Sequence, residues 1–223
     1  MAEPLIVFDL DGTLVDTAPD LIGTLNVILS REGVAPLSVA EARPLIGGGV
    51  RPLLERGLRK RQVGGEERLL DRLFADFLEH YAAHIAEHSR PFPGVEEALD
   101  ELAARGFLLA VCTNKLEWLS VRLLEALKLG SKFRVICGQD TFGLKKPDAE
   151  ILRRTIRAAG GAENRTIMVG DSETDIRLAR NAGVPVIAVD FGYTETPVTR
   201  FEPDATISHF GQLPTALARL AKP

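Results

Sequence analysis

The chain has 223 residues, 45% of them hydrophobic, and carries a formal net charge of −4. That is enough apolar material for a sizeable core in one domain, or in one domain carrying an insertion. The mild negative charge excludes a global basic footprint for nucleic acid or for an anionic membrane surface. No apolar run in the sequence reaches the length of a membrane span.

The first ten residues, MAEPLIVFDL, lack a basic flank and a long apolar run, so no signal peptide is expected. The stretch LIVFDLDGTLVDT at 5–17 begins with a predicted strand over 5–9 and brings Asp9 and Asp11 to one place, because residues two apart on extended chain lean to the same side. Residues 17–90 keep a different rhythm. Leu21, Leu25, Ile28 and Leu29 form one helical stripe, and Leu70, Phe74, Phe77, Tyr81 and Ile85 form another, with no strand between them. The tract ends at SRPFPG, where Pro91 and Pro93 bracket Phe92. It reads as a helical insertion after the first strand, leaving 1–16 and 91–223 as the core. From there, predicted strands at 107–113, 133–138, 166–170 and 184–190 alternate with helices at 95–105, 117–128, 147–159 and 173–182. Gly106 is expected as the glycine just past the first of these helices, and Pro147 as the first residue of the third. ATISHF at 205–210 reads as an edge strand before a final helix. Short apolar runs separated by amphipathic helices specify an α/β fold, a doubly wound parallel sheet with a Rossmann-like core.

In such a sheet, ligands bind in the crevice at the carboxyl ends of the strands. The first strand ends on Asp9 and Asp11, and the second on Thr113 and Asn114. The third leads into a loop with Lys145 and Lys146, and the fourth ends on Gly170 and Asp171, with Asp175 shortly after. One polar ending is ordinarily a turn or a helix cap. Four polar endings at one crevice read as a functional site. Two carboxylates ~6 Å apart repel by about 2–3 kcal/mol at an effective dielectric near 20, and Asp171 and Asp175 add two more charges. Carboxylates and water suit Mg²⁺. The ion, together with Lys146, leaves a charge that a phosphate dianion can approach. The acids make sense as a cation-held phosphoryl-transfer site.

DLDGT at 9–13, CTN at 112–114, KP at 146–147 and GDSETD at 170–175 resemble, in order, the four motifs of the haloacid dehalogenase-like superfamily of phosphohydrolases. The resemblance covers almost the whole chain, and the helical insertion matches the cap those enzymes place after the first motif. Within the superfamily the phosphoglycolate phosphatase group is the most similar, through RPFPGV at 90–95, TNK at 113–115 and NAGVPVIAV at 181–189. The resemblance implies a Mg²⁺-dependent phosphomonoester hydrolase that works through an aspartyl-phosphate, with 2-phosphoglycolate as the best single substrate. It makes Asp9 the nucleophile, and Asp11 the general acid that later serves as base. Mg²⁺ would be held by the side chain of Asp9, the backbone carbonyl of Asp11 and the side chain of Asp171, with Asp175 in or just behind that shell. Thr113 and the backbone of Asn114 would bind phosphoryl oxygens, and Lys146 would neutralise them. Gly12 would allow the sharp exit from the strand. One departure is Ala149, where the family's third motif often has a second proline. A phosphosugar mutase, or a nucleotide or pyrophosphate phosphatase, would keep every one of these motifs. A dehalogenase is disfavoured by Asp11, and a non-catalytic binding module by the intact acids and lysine.

Weaker signals remain. IGGGVRPLL at 46–54 matches neither a dinucleotide fingerprint nor a Walker loop. It reads as a turn within the insertion, or as a site where the amides of Gly47, Gly48 and Gly49, with Arg51, grip a substrate carboxylate at a helix N-terminus. Arg51, Arg56, Arg59, Lys60 and Arg61 read as a solvated basic helix face. His80, His84 and His88 recur every four residues on one expected helix face. They suit a partly solvated stripe or a homodimer contact better than zinc, whose ligands come from several directions. Cys112 and Cys137 lie in apolar segments and read as buried thiols, which favours a reducing, cytoplasmic setting.

Overall fold

The structure, a computed structural model, describes residues 3–220. In chain order it places β1 (Leu5–Phe8), β2 (Val15–Asp16), α1 (Ala18–Arg31), α2 (Val39–Ala42), α3 (Val50–Lys60), α4 (Glu67–Ala83) and β3 (Arg90–Pro91). These are followed by α5 (Val95–Ala104), β4 (Leu108–Cys112), α6 (Glu117–Ala126), β5 (Val135–Cys137) and α7 (Ala149–Ala159). The last are β6 (Thr166–Gly170), α8 (Glu173–Ala182), β7 (Val186–Val189), β8 (Ala205–Ile207) and α9 (Leu213–Leu220).

Six strands form one sheet in the order β5-β4-β1-β6-β7-β8, and every pairing in it is parallel. β1 is an unbroken apolar run because both its faces are covered. Ile6 and Phe8 enter one apolar cluster, with α5, α6, α9 and the helices of the 18–83 tract, while Leu5 and Val7 enter a second, with α7 and α8. Phe8 lies opposite Val111 on one side and Val169 on the other. The strands therefore finish level, and Asp9, Thr113 and Asp171 emerge along one edge. After β5 the chain crosses to the other side of β1, so strand order reverses there, and that is where such sheets bind ligands.

The expected alternation of strands and helices is present. Gly106 follows α5 with a φ of +81°, the conformation that suits a glycine past a helix end. Pro147 does not open α7. Asp148 caps that helix and accepts from the Glu150 amide at 2.9 Å, so the proline sits in the approach. An aspartate satisfies an orphan amide, which a proline at N1 does not. Leu21, Leu25, Ile28 and Leu29 are buried on α1, as their spacing requires, and Leu70, Phe77 and Tyr81 are buried on α4.

Two features depart from the sequence reading. β2 and β3 pair antiparallel, Val15 opposite Pro91 and Asp16 opposite Arg90, into a short ribbon across the entry to and exit from the helical tract. Proline is tolerated there because the ribbon is all edge. The second departure concerns the histidines. α4 ends at Ala83 and His84 is its C-cap, so His88 lies beyond the helix and the three share no helical face. His80 and His84 stack at 4.2 Å, and His80 Nδ1 lies 3.2 Å from Thr24 Oγ1. Among the described residues no helix is long and apolar enough to cross a membrane.

Candidate active site

The turn after β1 is built around the carbonyl of Leu10, which accepts from the amides of Leu14 and Val15 at 3.0 and 3.1 Å. Gly12 takes a φ of +83°, and a Cβ there would lie 2.5 Å from Asp171 Oδ2. A Cβ on Gly192 would lie 2.2 Å from the same oxygen. Two side-chain-free positions thus make a cradle for one carboxylate. Inside it, Asp171 Oδ1 accepts from Thr13 Oγ1 at 3.2 Å and Oδ2 accepts from the Tyr193 amide at 3.0 Å.

Oxygens of Asp9, Asp171 and Asp175, all buried, lie within 4.8 Å of one another. Lys146 Nζ lies 2.7 Å from Asp9 Oδ1 and 2.7 Å from Asp175 Oδ1. Lys145 is exposed and Lys146 buried, which settles which of the adjacent lysines points inward. Asp175 has a second role. Its Oδ2 accepts from the Ser172 hydroxyl at 2.6 Å and the Ser172 amide at 3.2 Å, closing the capping box that starts α8.

Three carboxylates against one ammonium leave this buried cluster with excess negative charge. Burial pushes Asp9 up to about 6, with Lys146 opposing and Asp175 adding to the rise. Burial pushes Asp171 up to about 8, helped by Asp175 and Asp9. Burial would favour a neutral Lys146, yet Asp175 and Asp9 outweigh it and raise its pKa. Convergent hard oxygens that resist joint ionisation fit a divalent cation, whose charge would offset the excess.

Thr113 and Asn114 follow β4 and are buried beside this cluster. The Asn114 side chain clamps the backbone of Lys146: Oδ1 accepts from the Lys146 amide at 2.8 Å and Nδ2 donates to its carbonyl at 3.3 Å. That commits Oδ1 and one Nδ2 hydrogen of the side chain to Lys146. A cavity of about 340 Å³ opens above, walled by Asp9, Asp11, Thr113, Asn114, Lys146 and Asp171 below. Gly47, Gly48 and Gly49, with Val50, Leu53 and Phe74, form its wall on the helical side. The three glycines thus line the cavity. Arg51 is not part of the wall. Its guanidinium pairs with Glu67 at 3.2 Å and with Asp71, two acids that α4 presents one helical turn apart, and this draws it away. Arg56 stands on the wall instead, donating to the carbonyls of Leu45 and Gly47 at 2.9 Å each.

Two residues at the site were given no role by the sequence reading, although Lys115 stands in the TNK stretch at 113–115. Lys115 donates to both Asp11 oxygens, at 3.1 and 3.2 Å. Tyr193 accepts from the amides of Thr17 and Ala18 at 2.6 and 3.0 Å and donates to Asp16 Oδ1 at 2.8 Å, tying the loop after β7 to the start of α1. The available signal was composition: the chain has only two tyrosines, and both stand where the helical tract meets the sheet. Cys112 and Cys137 are buried and free, and burial pushes the Cys112 thiol up to about 12, so it is not a nucleophile at neutral pH.

The model of the haloacid dehalogenase-like hydrolase family matches residues 6–189. A phosphoglycolate phosphatase of Mesorhizobium japonicum is 50% identical over 98% of this chain and 96% of its own length. One of Agrobacterium fabrum is 48% identical over 96% and 92% respectively. The crystal structure of a predicted phosphoglycolate phosphatase from Haemophilus somnus superposes with a TM-score of 0.90 at 28% identity, covering 96% of this chain and 98% of that one. The chain belongs to the haloacid dehalogenase-like hydrolase family and is a phosphatase.

Proposed function

We propose that the chain hydrolyses a small phosphomonoester, 2-phosphoglycolate, through an aspartyl-phosphate on Asp9. The observation that carries this is the buried cluster of Asp9, Asp171 and Asp175 around Lys146 at the floor of the cavity. The substrate reading is supported by the long, close relatives that bear that name.

A carboxylate oxygen of Asp9 attacks phosphorus and the bond to the leaving oxygen breaks, while Asp11 gives that oxygen its proton. A water then attacks the phosphorus, Asp11 takes its proton, the bond to Asp9 breaks, and inorganic phosphate leaves. Thr113, the backbone of Asn114 and Lys146 hold the phosphoryl oxygens. Mg²⁺ is the cation we assign, held by the side chains of Asp9 and Asp171 and the carbonyl of Asp11, with Asp175 in or behind the shell. When bound it supplies Lewis-acid stabilisation of phosphoryl charge. Residues 17–90 act as a cap whose glycine turn, Gly47 to Gly49, faces the leaving group.

The test is a kcat/KM panel over 2-phosphoglycolate, sugar phosphates, nucleotides and pyrophosphate, with Mg²⁺ and with EDTA. The expected result is preference for 2-phosphoglycolate, release of free phosphate, and loss of turnover in EDTA and in Asp9→Asn. Turnover that ignored EDTA, or an isomerised sugar phosphate as product, would overturn the reading.

A further inference from the structure

Asp11 differs from the other acids of the site in how it is held. Its carboxylate is 19% exposed, towards the cavity, and among the described residues its one hydrogen-bonding and ion-pairing partner is Lys115. The Lys115 side chain is only 4% exposed. Its ammonium makes a further contact, donating to Tyr81 Oη at 2.9 Å, and it lies 4.5 Å from the centre of the Tyr81 ring. Asp11 and Lys115 belong to loops at the sheet edge, whereas Tyr81 is on α4. Tyr81 is itself fully buried against Phe77, with ring centres 5.8 Å apart. Burial, with Asp11 and Asp20 nearby, raises the phenol's pKa well above its usual value, so the group stays a neutral acceptor for the ammonium.

An ammonium has three hydrogens, and three oxygens surround this one. None is left for a substrate while Asp11 and Tyr81 are in place. We propose that Lys115, anchored by Tyr81 of the helical tract, is a positioning residue that fixes the orientation of the Asp11 carboxylate towards the scissile oxygen. The proposal rests on the reading of Asp11 as acid and base. It adds that the proton-transfer geometry is completed by α4, across the seam between helical tract and sheet. A carboxylate losing this tether gains rotamer freedom, and small misplacements of a catalytic group can lower rates by about 10²-fold.

The test compares alkyl and aryl phosphates in the Mg²⁺-loaded wild type, Lys115→Met, Tyr81→Phe and Asp11→Asn. An alkoxide needs its proton far more than 4-nitrophenolate does, so a misplaced acid shows as selective loss on the alkyl ester. Lys115→Met is expected to lower kcat on ethyl phosphate about 10²-fold and kcat on 4-nitrophenyl phosphate less than about 5-fold, with KM changed less than about 2-fold. Tyr81→Phe keeps the ring and removes one acceptor, so it should show the same selectivity at about 3–10-fold. It serves as the test if Lys115→Met does not fold. Equal losses on both esters would overturn the proposal, as would no loss on either. A loss confined to KM for carboxylate-bearing esters would overturn it too, by making Lys115 a substrate ligand. An Asp11→Asn enzyme still fast on ethyl phosphate would instead remove the underlying role of Asp11.

Discussion

Replacing Lys146 by Met removes one buried positive charge and keeps most of its volume. Nζ lies 2.7 Å from an oxygen of Asp9 and 2.7 Å from an oxygen of Asp175, which at an effective dielectric near 20 is about 6 kcal/mol of attraction to each. Much of that is offset by the desolvation of all three groups. What mutagenesis reads is the charge left without a partner, typically about 3–5 kcal/mol for a broken buried pair. The sign of the pH dependence follows from Asp9 and Asp171, whose carboxyls are raised from 3.8 to about 6 and about 8. At pH 5 both are largely protonated in the folded state, so the charge that loses its partner is mainly that of Asp175. At pH 8 Asp9 is largely ionised and Asp171 about half so. Metal-free Lys146→Met should therefore lose about 3–5 kcal/mol at pH 8 and clearly less at pH 5, where Asp9 and Asp171 carry protons and the pair with Asp175 is the main one broken. Urea unfolding followed by circular dichroism in EDTA reads both values. A loss that is equal at the two pH values, or below about 1 kcal/mol at pH 8, would refute the electrostatic reasoning.

Three more outcomes rest on the same geometry. Wild-type protein in EDTA should melt at lower temperature as pH rises from 5 to 8. Folded-state pKa values raised above 3.8 contribute stability that is full below the unfolded value and is lost as pH climbs through about 6 and about 8. Mg²⁺ should restore more of the Tm at pH 8 than at pH 5, and a flat metal-free profile by scanning calorimetry would count against this. Gly12→Ala puts a Cβ 2.5 Å from Asp171 Oδ2 at a φ of +83°. It should lose about 1–3 kcal/mol of stability and weaken Mg²⁺ binding by calorimetric titration, while an unchanged Mg²⁺ affinity would contradict the cradle. Tyr193→Phe strands the amides of Thr17 and Ala18 and should lose about 1–3 kcal/mol in urea. A loss under about 0.5 kcal/mol would mean water replaces the hydroxyl.

What the sequence made legible had a periodic or ordered signature. β1, β6 and α8 show it best: two apolar runs that end on acids and a helical stripe that starts on one, which the parallel register then brings to one edge. Asp9 and Asp171 were readable because they directly follow such strands, Asp175 because it lies in the first turn of α8, and Lys146 because it stands in the loop leading into α7. The β2–β3 ribbon was not, since two-residue strands have no alternation and exist only through each other. Pro147 was misplaced by one favourable local rule, which Asp148 overrode with a better one. Arg51 was placed correctly at the start of α3, but its direction was decided by Glu67 and Asp71 on another helix. Lys115 and Tyr193 act through partners 104 and 176 residues away, and no local pattern encodes a contact of that range. The histidine stripe failed at a helix end, where C-caps leave little trace in sequence.

The proposed mechanism requires the Asp9 carboxylate to become covalently phosphorylated during turnover. Rapid acid quenching of enzyme turning over 2-phosphoglycolate with Mg²⁺, borohydride reduction of any acyl phosphate, and mass spectrometry of the peptide containing residues 5–17 test it directly. Homoserine is expected at position 9, absent when substrate or Mg²⁺ is omitted. Turnover with position 9 left as unmodified aspartate, or with homoserine at position 11 or 171 instead, would contradict it.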